Sequence, residues 1–321
     1  MRGILRSRGT FATDVKAMTY ERFGNADVLE LKEVPDAHPG SDSVLVKVKA
    51  ASLNPVDYKV RQGHLKGLID TVFPVIPGWD VAGVVVKPGL DTPEFEVGDE
   101  ILAYARKDFI SNGTLAELVE VPVRTAVHKP KELSFEEGAA LPLTGLTALQ
   151  TVRRAGVSAG QTVLVHAAAG GVGSFATQLA VLAGARVVGT ASERNHDYLR
   201  SLGAEPIIYA DGLVESARAL VPEGFDVILD FAGHSAMKTV PDLLRNGGIV
   251  ASITDHRARD VYGGQYVWVR PDRANLAELA GLAARGSLKI EIADVFDLAE
   301  AAEAYRKLET GHVRGKIVVR V

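Results

Sequence analysis

The sequence predicts an α/β protein in two parts, a β-rich unit and a doubly wound parallel sheet. Three observations carry that expectation. From Val15 to about Lys129, short apolar or alternating runs are separated by turn clusters, with no long helix pattern. Next, Val163-Leu-Val-His166 runs through Ala167-Ala-Ala-Gly170-Gly171-Val-Gly173 into Ser174–Ala183: a strand, a glycine turn and a helix pattern. From there on strands and helices alternate, and right-handed crossovers turn that alternation into a parallel sheet.

In the first unit, Val15–Tyr20, Val44–Ala50, Val81–Val86, Ile101–Ala103 and Glu117–Val121 read as strands, with turns at Pro35–Asp42 and Val97–Glu100. Leu133–Glu137 opens a helix, with Ser134 as N-cap and Glu137 completing a capping box. A second helix spans Thr144–Ala155, and Gly160 leads into the strand at Val163. Ala185–Thr190 is the next strand. Ser192 is placed to cap a helix Glu193–Leu202 that Gly203 closes. Pro206–Tyr209, Phe225–Asp230, Gly248–Ser252 and Tyr266–Val269 supply strands three to six. Ala274–Arg285 and Leu298–Glu309 are late helices, and Gly315–Val321 is a terminal strand that can return to the first unit. The expected division is 1–137 plus 274–321 for the β-rich unit and 138–273 for the parallel sheet.

At 321 residues each part can bury its own core. A hydrophobic share of 47% is ordinary for a soluble chain. Net charge is −4 with charges interspersed, so no basic face marks a nucleic-acid or anionic-membrane partner. The absence of cysteine excludes disulfides, thiolate zinc sites and thiol catalysis. The longest apolar runs fall short of a bilayer span. The opening Met1-Arg-Gly-Ile-Leu-Arg-Ser-Arg8 is basic without an apolar core, unlike a secretory signal, and the expected compartment is the cytoplasm.

A strand feeding a glycine turn and then a helix is the geometry that binds a dinucleotide. Gly170 and Gly171 let the backbone approach a pyrophosphate. The free N–H groups of the first helical turn, with Val172 among them, and the positive end of the helix dipole face its charge. Gly173 lets helix and strand pack closely, and the usual first glycine of the motif is Ala168. The plainer alternative is a tight turn that binds nothing. A site for NAD places an acid about 20 residues further on, to hold the ribose 2′-hydroxyl. That position is Ala191, followed by Ser192-Glu-Arg194. Ser192 can donate to a 2′-phosphate and Arg194 can pair with it, so NADP(H) is the expected cofactor. Glu193 works against this, and the alternative for Ser192 and Arg194 is a helix cap and a solvated charge.

Four stretches, Ala51-Ser-Leu-Asn-Pro-Val-Asp-Tyr-Lys59, Pro77-Gly-Trp-Asp-Val-Ala-Gly83, Leu141-Pro-Leu-Thr-Gly-Leu-Thr147 and the Ala167–Gly173 turn, act together with the tail Gly311–Val321. They resemble the zinc-free quinone oxidoreductase and enone reductase branch of the medium-chain dehydrogenase/reductase superfamily, over essentially everything from Lys16 onward. The resemblance implies a discontinuous GroES-like β domain, made from both ends of the chain, around a central Rossmann domain. It also implies Tyr209 beside the adenosine, Thr144 near the nicotinamide and Asn54 as a further cofactor contact, with ordinary packing as the alternative for Tyr209 and Thr144. Where zinc alcohol dehydrogenases carry catalytic ligands, this chain has Asn54, Trp79 and Ala140, and the four-cysteine lobe is missing. The eight histidines show no ligand spacing, so no metal is expected. Alcohol oxidation would lack its Lewis acid, and Val56 stands where those enzymes carry a proton-relaying hydroxyl.

Relatives of this kind reduce quinones or the C=C bond of α,β-unsaturated ketones and aldehydes. Hydride goes to the β-carbon, charge builds on the carbonyl oxygen, and the α-carbon then takes a proton. By the resemblance, Lys59 stabilises the enolate and Tyr58 relays a proton. A surface or packing role for both stands against this, as do relatives that work chiefly by positioning. His64, Trp79, Tyr104, Tyr262, Tyr266 and Trp268 are aromatic candidates for the cleft, with core packing the plainer role, and His166 reads as a satisfied buried histidine. The expected partners are an enone, enal or quinone and a second copy of the chain in a homodimer, with no nucleic acid and no membrane. An enoyl-thioester reductase and a non-catalytic dinucleotide-binding protein of structural or regulatory role stay open as alternatives.

Overall fold

The computed structural model describes residues 14–233 and 235–321; the basic stretch Met1–Arg8 lies outside the described residues. Six parallel strands form one sheet in the order Glu205–Ile208, Arg186–Ala191, Thr162–His166, Phe225–Asp230, Leu244–Ser252 and Gln265–Tyr266. The order reverses at Thr162–His166, which is the switch point of a doubly wound sheet. Successive side chains point to opposite faces. Val163, Val165, Val187 and Leu229 therefore join the large core that includes helices Pro142–Arg154 and Gly171–Leu182, while Leu164, Val188, Ile228 and Val250 join a second cluster with Leu213, Val240 and Leu243. Covered on both faces, Phe225–Asp230 is buried from end to end, which explains its near-continuous apolar sequence.

The other main sheet runs Ile292–Asp297, Lys316–Arg320, Ser43–Leu53, Asp80–Lys87, Glu100–Tyr104 and Ala126–His128, with Leu118–Pro122 also paired to Ser43–Leu53. Its terminal strand is antiparallel to Ala50–Leu53, Ile317 facing Leu53 and Arg320 facing Ala50. The end of the chain thus completes a sheet begun by its first quarter.

The structure departs from the sequence expectation at several elements. A helix, Pro55–Arg61, stands in the unit where none was expected; proline at a first helical position is preorganised for the turn. Its buried face is Asp57, Val60 and Arg61, so no apolar period announces it. Strand Ile292–Asp297 alternates between half-buried and exposed residues and was not anticipated. The expected helix Glu193–Leu202 is split into a 3-10 turn, Glu193–Asn195, and a helix, His196–Ser201. Ser192 does not cap it: its hydroxyl instead accepts from Asn195 Nδ2 at 3.2 Å. At Ser134 the capping box forms, with Glu137 N donating to Ser134 Oγ and Ser134 N to Glu137 Oε2.

Candidate functional site

The strand Thr162–His166 enters the turn through Ala167, the one non-glycine among the described residues with positive φ, at 55°. The strained position is therefore Ala167, one residue before the Ala168 that replaces the motif's usual first glycine. Gly173 meets the turn most closely: a Cβ there would overlap the Ala167 carbonyl oxygen and lie 2.8 Å from Ala168 Cα. A Cβ on Gly170 would meet only the Ala167 oxygen, at 3.3 Å, so that residue leaves its other side open to the cleft it lines. Gly171 lies between Thr144, Gly315 and Lys316. Helix Gly171–Leu182 carries no side-chain cap, and its first intrahelical bond runs from Ser174 N to Gly170 O. The N–H groups ahead of that bond remain for an anion. The Val172 side chain packs against the core, which leaves only its backbone for such a contact.

A cleft of about 960 Å³ opens over the C-terminal ends of these strands, at the switch point where open α/β sheets bind ligands. Ser192, Arg194, Asn195 and Tyr209 line one side, and Gly311–Val313, from the end of the chain, line another. Arg194 is exposed and its Nη2 donates to His312 O at 3.3 Å, while Tyr209 is 58% exposed. Glu193 is exposed and is not among the residues lining the cleft. An uncapped helix start, an open glycine side and Arg194 on the rim suit the pyrophosphate and 2′-phosphate of a dinucleotide, with Asp211 as the one acid in the lining.

His166 lines the cleft floor but is 2% exposed, and its Nε2 has no hydrogen-bond partner, so it is not the satisfied histidine expected. Burial lowers it to about 4, against the pull of Asp230. Asp230 is held by the N–H groups of Ala232 and Gly233 and by Ser252 Oγ.

Two other expected contacts lie beneath the cleft. Asn54 is fully buried and its amide is committed: Nδ2 donates to Asp80 Oδ2 at 2.8 Å, and Oδ1 accepts from Lys316 Nζ at 2.5 Å. Thr144 is also buried, with its hydroxyl donating to Ala140 O at 3.0 Å. Asp80 Oδ1 takes the N–H of Leu143, at the start of the helix carrying Thr144. The aliphatic stem of Lys316 passes under Gly171. Sequence reasoning missed Asp57, Asp80 and Lys316; the only signal was their place inside the Asn54–Lys59, Pro77–Gly83 and terminal motifs.

The structure does not bring Tyr58 and Lys59 to this cleft. Lys59 is exposed on helix Pro55–Arg61 and pairs with no acid among the described residues. Tyr58 is half-buried, its hydroxyl pushed up by burial and by Glu309. None of the six aromatic candidates lines the cleft either. Trp79 and Tyr104 are buried against each other, ring centroids 6.2 Å apart. Among the described residues, no three His, Asp or Glu gather as a metal-holding group.

Residues 40–131 match the family model described as alcohol dehydrogenase GroES-like domain, and residues 202–319 match the one described as zinc-binding dehydrogenase. The chain is 38% identical to the 2-methylene-furan-3-one reductase of Solanum lycopersicum, over 96% of this chain and 79% of that protein. It is 37% identical to the NADPH-dependent alkenal/one oxidoreductase, chloroplastic, of Arabidopsis thaliana, over 95% of this chain and 79% of that one. Among solved structures, the quinone oxidoreductase from Coxiella burnetii is similar, with a TM-score of 0.88 and 35% identity over 96% of this chain and 100% of that one.

Proposed function

We infer, from the premise that this chain belongs to the quinone oxidoreductase and enone reductase branch of the medium-chain dehydrogenase/reductase superfamily, that it reduces enones, enals or quinones with NADPH. The observation that carries this is the uncapped helix start at the switch point, with Ala191, Ser192 and Arg194 lining the cleft at the end of the second strand, where a site for NAD carries an acid. NADPH bound there supplies the hydride. The chain's part is to hold the pyrophosphate on the N–H groups at Gly171–Gly173 and the 2′-phosphate on Ser192 and Arg194, with Tyr209 beside the adenosine. Asn54 and Thr144 act from below, by fixing Lys316 and the helix that backs Gly171. The proposed roles of Lys59 in stabilising the enolate and of Tyr58 in relaying a proton rest on the family resemblance, since neither lines this cleft.

The test is NADPH consumption across quinones, enones and enoyl thioesters, with the transferred hydride labelled. A saturated ketone labelled at the β-carbon is expected from an enone. An allylic alcohol labelled at the carbonyl carbon would refute the reading, and turnover of coenzyme A thioesters alone would replace it with enoyl-thioester reduction. We also place the domain division at 137 and 274, supported by the pairing of the last strand with Ala50–Leu53. The proposed homodimer would use the outer strand of the parallel sheet, Gln265–Tyr266, whose unpaired edge invites a second copy; sedimentation tests it. A cytoplasmic location remains a proposal from the sequence, tested by fractionation.

A further inference from the structure

Three polar side chains end beside one another on one face of the parallel sheet, and two of them are occupied. In the strand Thr162–His166, Val163 and Val165 face the large core and Leu164 faces the second cluster, so alternation puts His166 on the face of Leu164. The same parity sets Thr190 beyond Val188 and Asp230 beyond Ile228, and His166 stands in register with Asp230. Thr190 Oγ1 accepts from Ala167 N at 3.1 Å. Asp230 Oδ1 accepts from the N–H groups of Ala232 and Gly233, and its Oδ2 from Ser252 Oγ at 2.6 Å and Thr254 Oγ1 at 3.3 Å. His166 Nε2 is buried and has no hydrogen-bond partner among the described residues. Such an atom is rare in a native protein and calls for a reason.

His166 also borders the cleft that the glycine turn opens onto, although only 2% of it is exposed. The lining around it divides by chemistry. Ala191, Leu213 and Ala236 are buried and make an apolar inner wall. Ser192, Arg194, Tyr209 and Asp211 are half-buried or exposed and carry the polar groups of the rim. Burial holds His166 down at about 4, against the pull of Asp230, so its ring is uncharged at neutral pH. An uncharged imidazole has one N–H to donate and one nitrogen to accept. It offers a phosphate no charge, which Arg194 does. Set in an apolar wall, it suits an uncharged group that still carries donors and acceptors on its edge. A 2′-phosphate held by Ser192 and Arg194 is attached to the adenosine ribose, so the uncharged group next to it is the adenosine.

We propose that His166 is a cofactor-binding residue, its Nε2 taking the missing hydrogen-bond partner from the adenosine of the dinucleotide on the cleft floor. This rests on the NADPH reading above, and it separates the residue that holds the nucleoside from those that hold its phosphates. Without cofactor, the bare ring nitrogen costs the protein stability. With the dinucleotide in place, the nitrogen is satisfied and the ring is covered. NADPH and NADH share the adenosine, so this contact adds affinity for both and does not choose between them. That choice stays with Ser192 and Arg194 at the rim.

His166→Leu fills the same space and removes both ring nitrogens. It should weaken NADPH, NADH and 2′,5′-ADP alike, by about three- to tenfold, the worth of one neutral hydrogen bond. The cofactor-free variant should melt at or above the wild type, because leucine leaves no bare polar atom in the wall. In the wild type with nitrogen-15 histidine, the ring signals of His166, identified by their loss in His166→Gln, should shift on adding 2′,5′-ADP. Nicotinamide mononucleotide, which has no adenosine, should leave them in place. Unchanged affinities in His166→Leu would overturn the proposal, as would a loss confined to NADPH, which would put His166 at the 2′-phosphate. A variant that melts lower while binding all three ligands normally would show a packing role instead. If His166→Leu does not fold, ring signals in the wild type that stay still under saturating 2′,5′-ADP overturn it. A wild type that binds neither NADPH nor NADH would sink the functional reading and this inference with it, whereas cofactor binding that leaves His166 unmoved sinks the inference alone.

Discussion

At Gly173 a single methyl group tests the geometry of the turn. A Cβ there would overlap the Ala167 carbonyl oxygen and lie 2.8 Å from Ala168 Cα, and both are backbone atoms. Carbon atoms settle about 3.5–4.0 Å apart, so the turn would have to retreat by roughly an ångström. Ala167, at φ 55°, already occupies a region that costs an L-residue about 1–2 kcal/mol. Overpacking on this scale costs about 1–3 kcal/mol. Against it, alanine for glycine within a helix gains about 0.5–1 kcal/mol. The clash should win, leaving Gly173→Ala destabilised by about 1–2 kcal/mol and melting roughly 2–8 °C lower. NADPH affinity should fall about tenfold or more, since a loss of about 1.4 kcal/mol at the displaced N–H groups is enough. Gly171→Ala is the control. Its nearest neighbours would be Lys316 Cδ at 3.2 Å, with Gly315 O and Thr144 Cγ2 at 3.3 Å, contacts that need to yield only slightly. The assays are calorimetric melting and a fluorescence titration with NADPH. A Gly173→Ala protein that melts at or above the wild type and binds NADPH equally would refute the reasoning.

Arg194→Ala should weaken NADPH about tenfold, toward the low end for a charge-assisted bond because the side chain is exposed, and should leave NADH binding alone; equal losses for both cofactors would remove Arg194 from the phosphate site. The purified protein should carry no stoichiometric zinc and keep its activity in strong chelator; elemental analysis finding a zinc that activity requires would contradict the donor set described. Asp57 should also show in stability. Its folded-state carboxyl is raised to about 7, so between about 4, where the unfolded chain ionises, and about 7 the native state holds a proton that the unfolded state has lost. Stability then falls as pH rises across that window, and Asp57→Asn should gain melting temperature relative to the wild type over the same range. A constant difference from acid to neutral pH would show that Asp57 ionises at its ordinary value.

What could be read from sequence follows from where each constraint originates. The strands at Val163 and Phe225 are apolar because both faces of the parallel sheet are covered, and that constraint lies within each segment. The glycine turn is equally local, since the spacing of Gly170, Gly171 and Gly173 is set by the backbone itself. The left-handed backbone at Ala167 lies outside the motif's own glycines and shows only in the structure. The helix Pro55–Arg61 escaped because its inward face is largely polar, with partners on distant elements: Arg61 donates to Gly24 O and pairs with Glu309. Asn54 was expected as a cofactor contact, but its surroundings could not be read locally. The acid and the amine that fix its amide lie 26 and 262 residues away.

That separation gives the discontinuous domain a chemical consequence. The last strand pairs with the very segment that ends at Asn54, Ile317 facing Leu53, and this register brings Lys316 against Asn54 and the Leu53 carbonyl. A slip of one residue would turn Lys316 to the opposite face of the sheet. Asp80 would then lose the buried cation beside it, and Gly171 would lose the stem that backs it. The same register lets Gly315 N donate to Ala169 O at 3.2 Å, tying the last strand to the glycine turn. The return of the chain's end to the first sheet thus fixes two things together: the charge balance beneath the cleft and the position of the helix start above it.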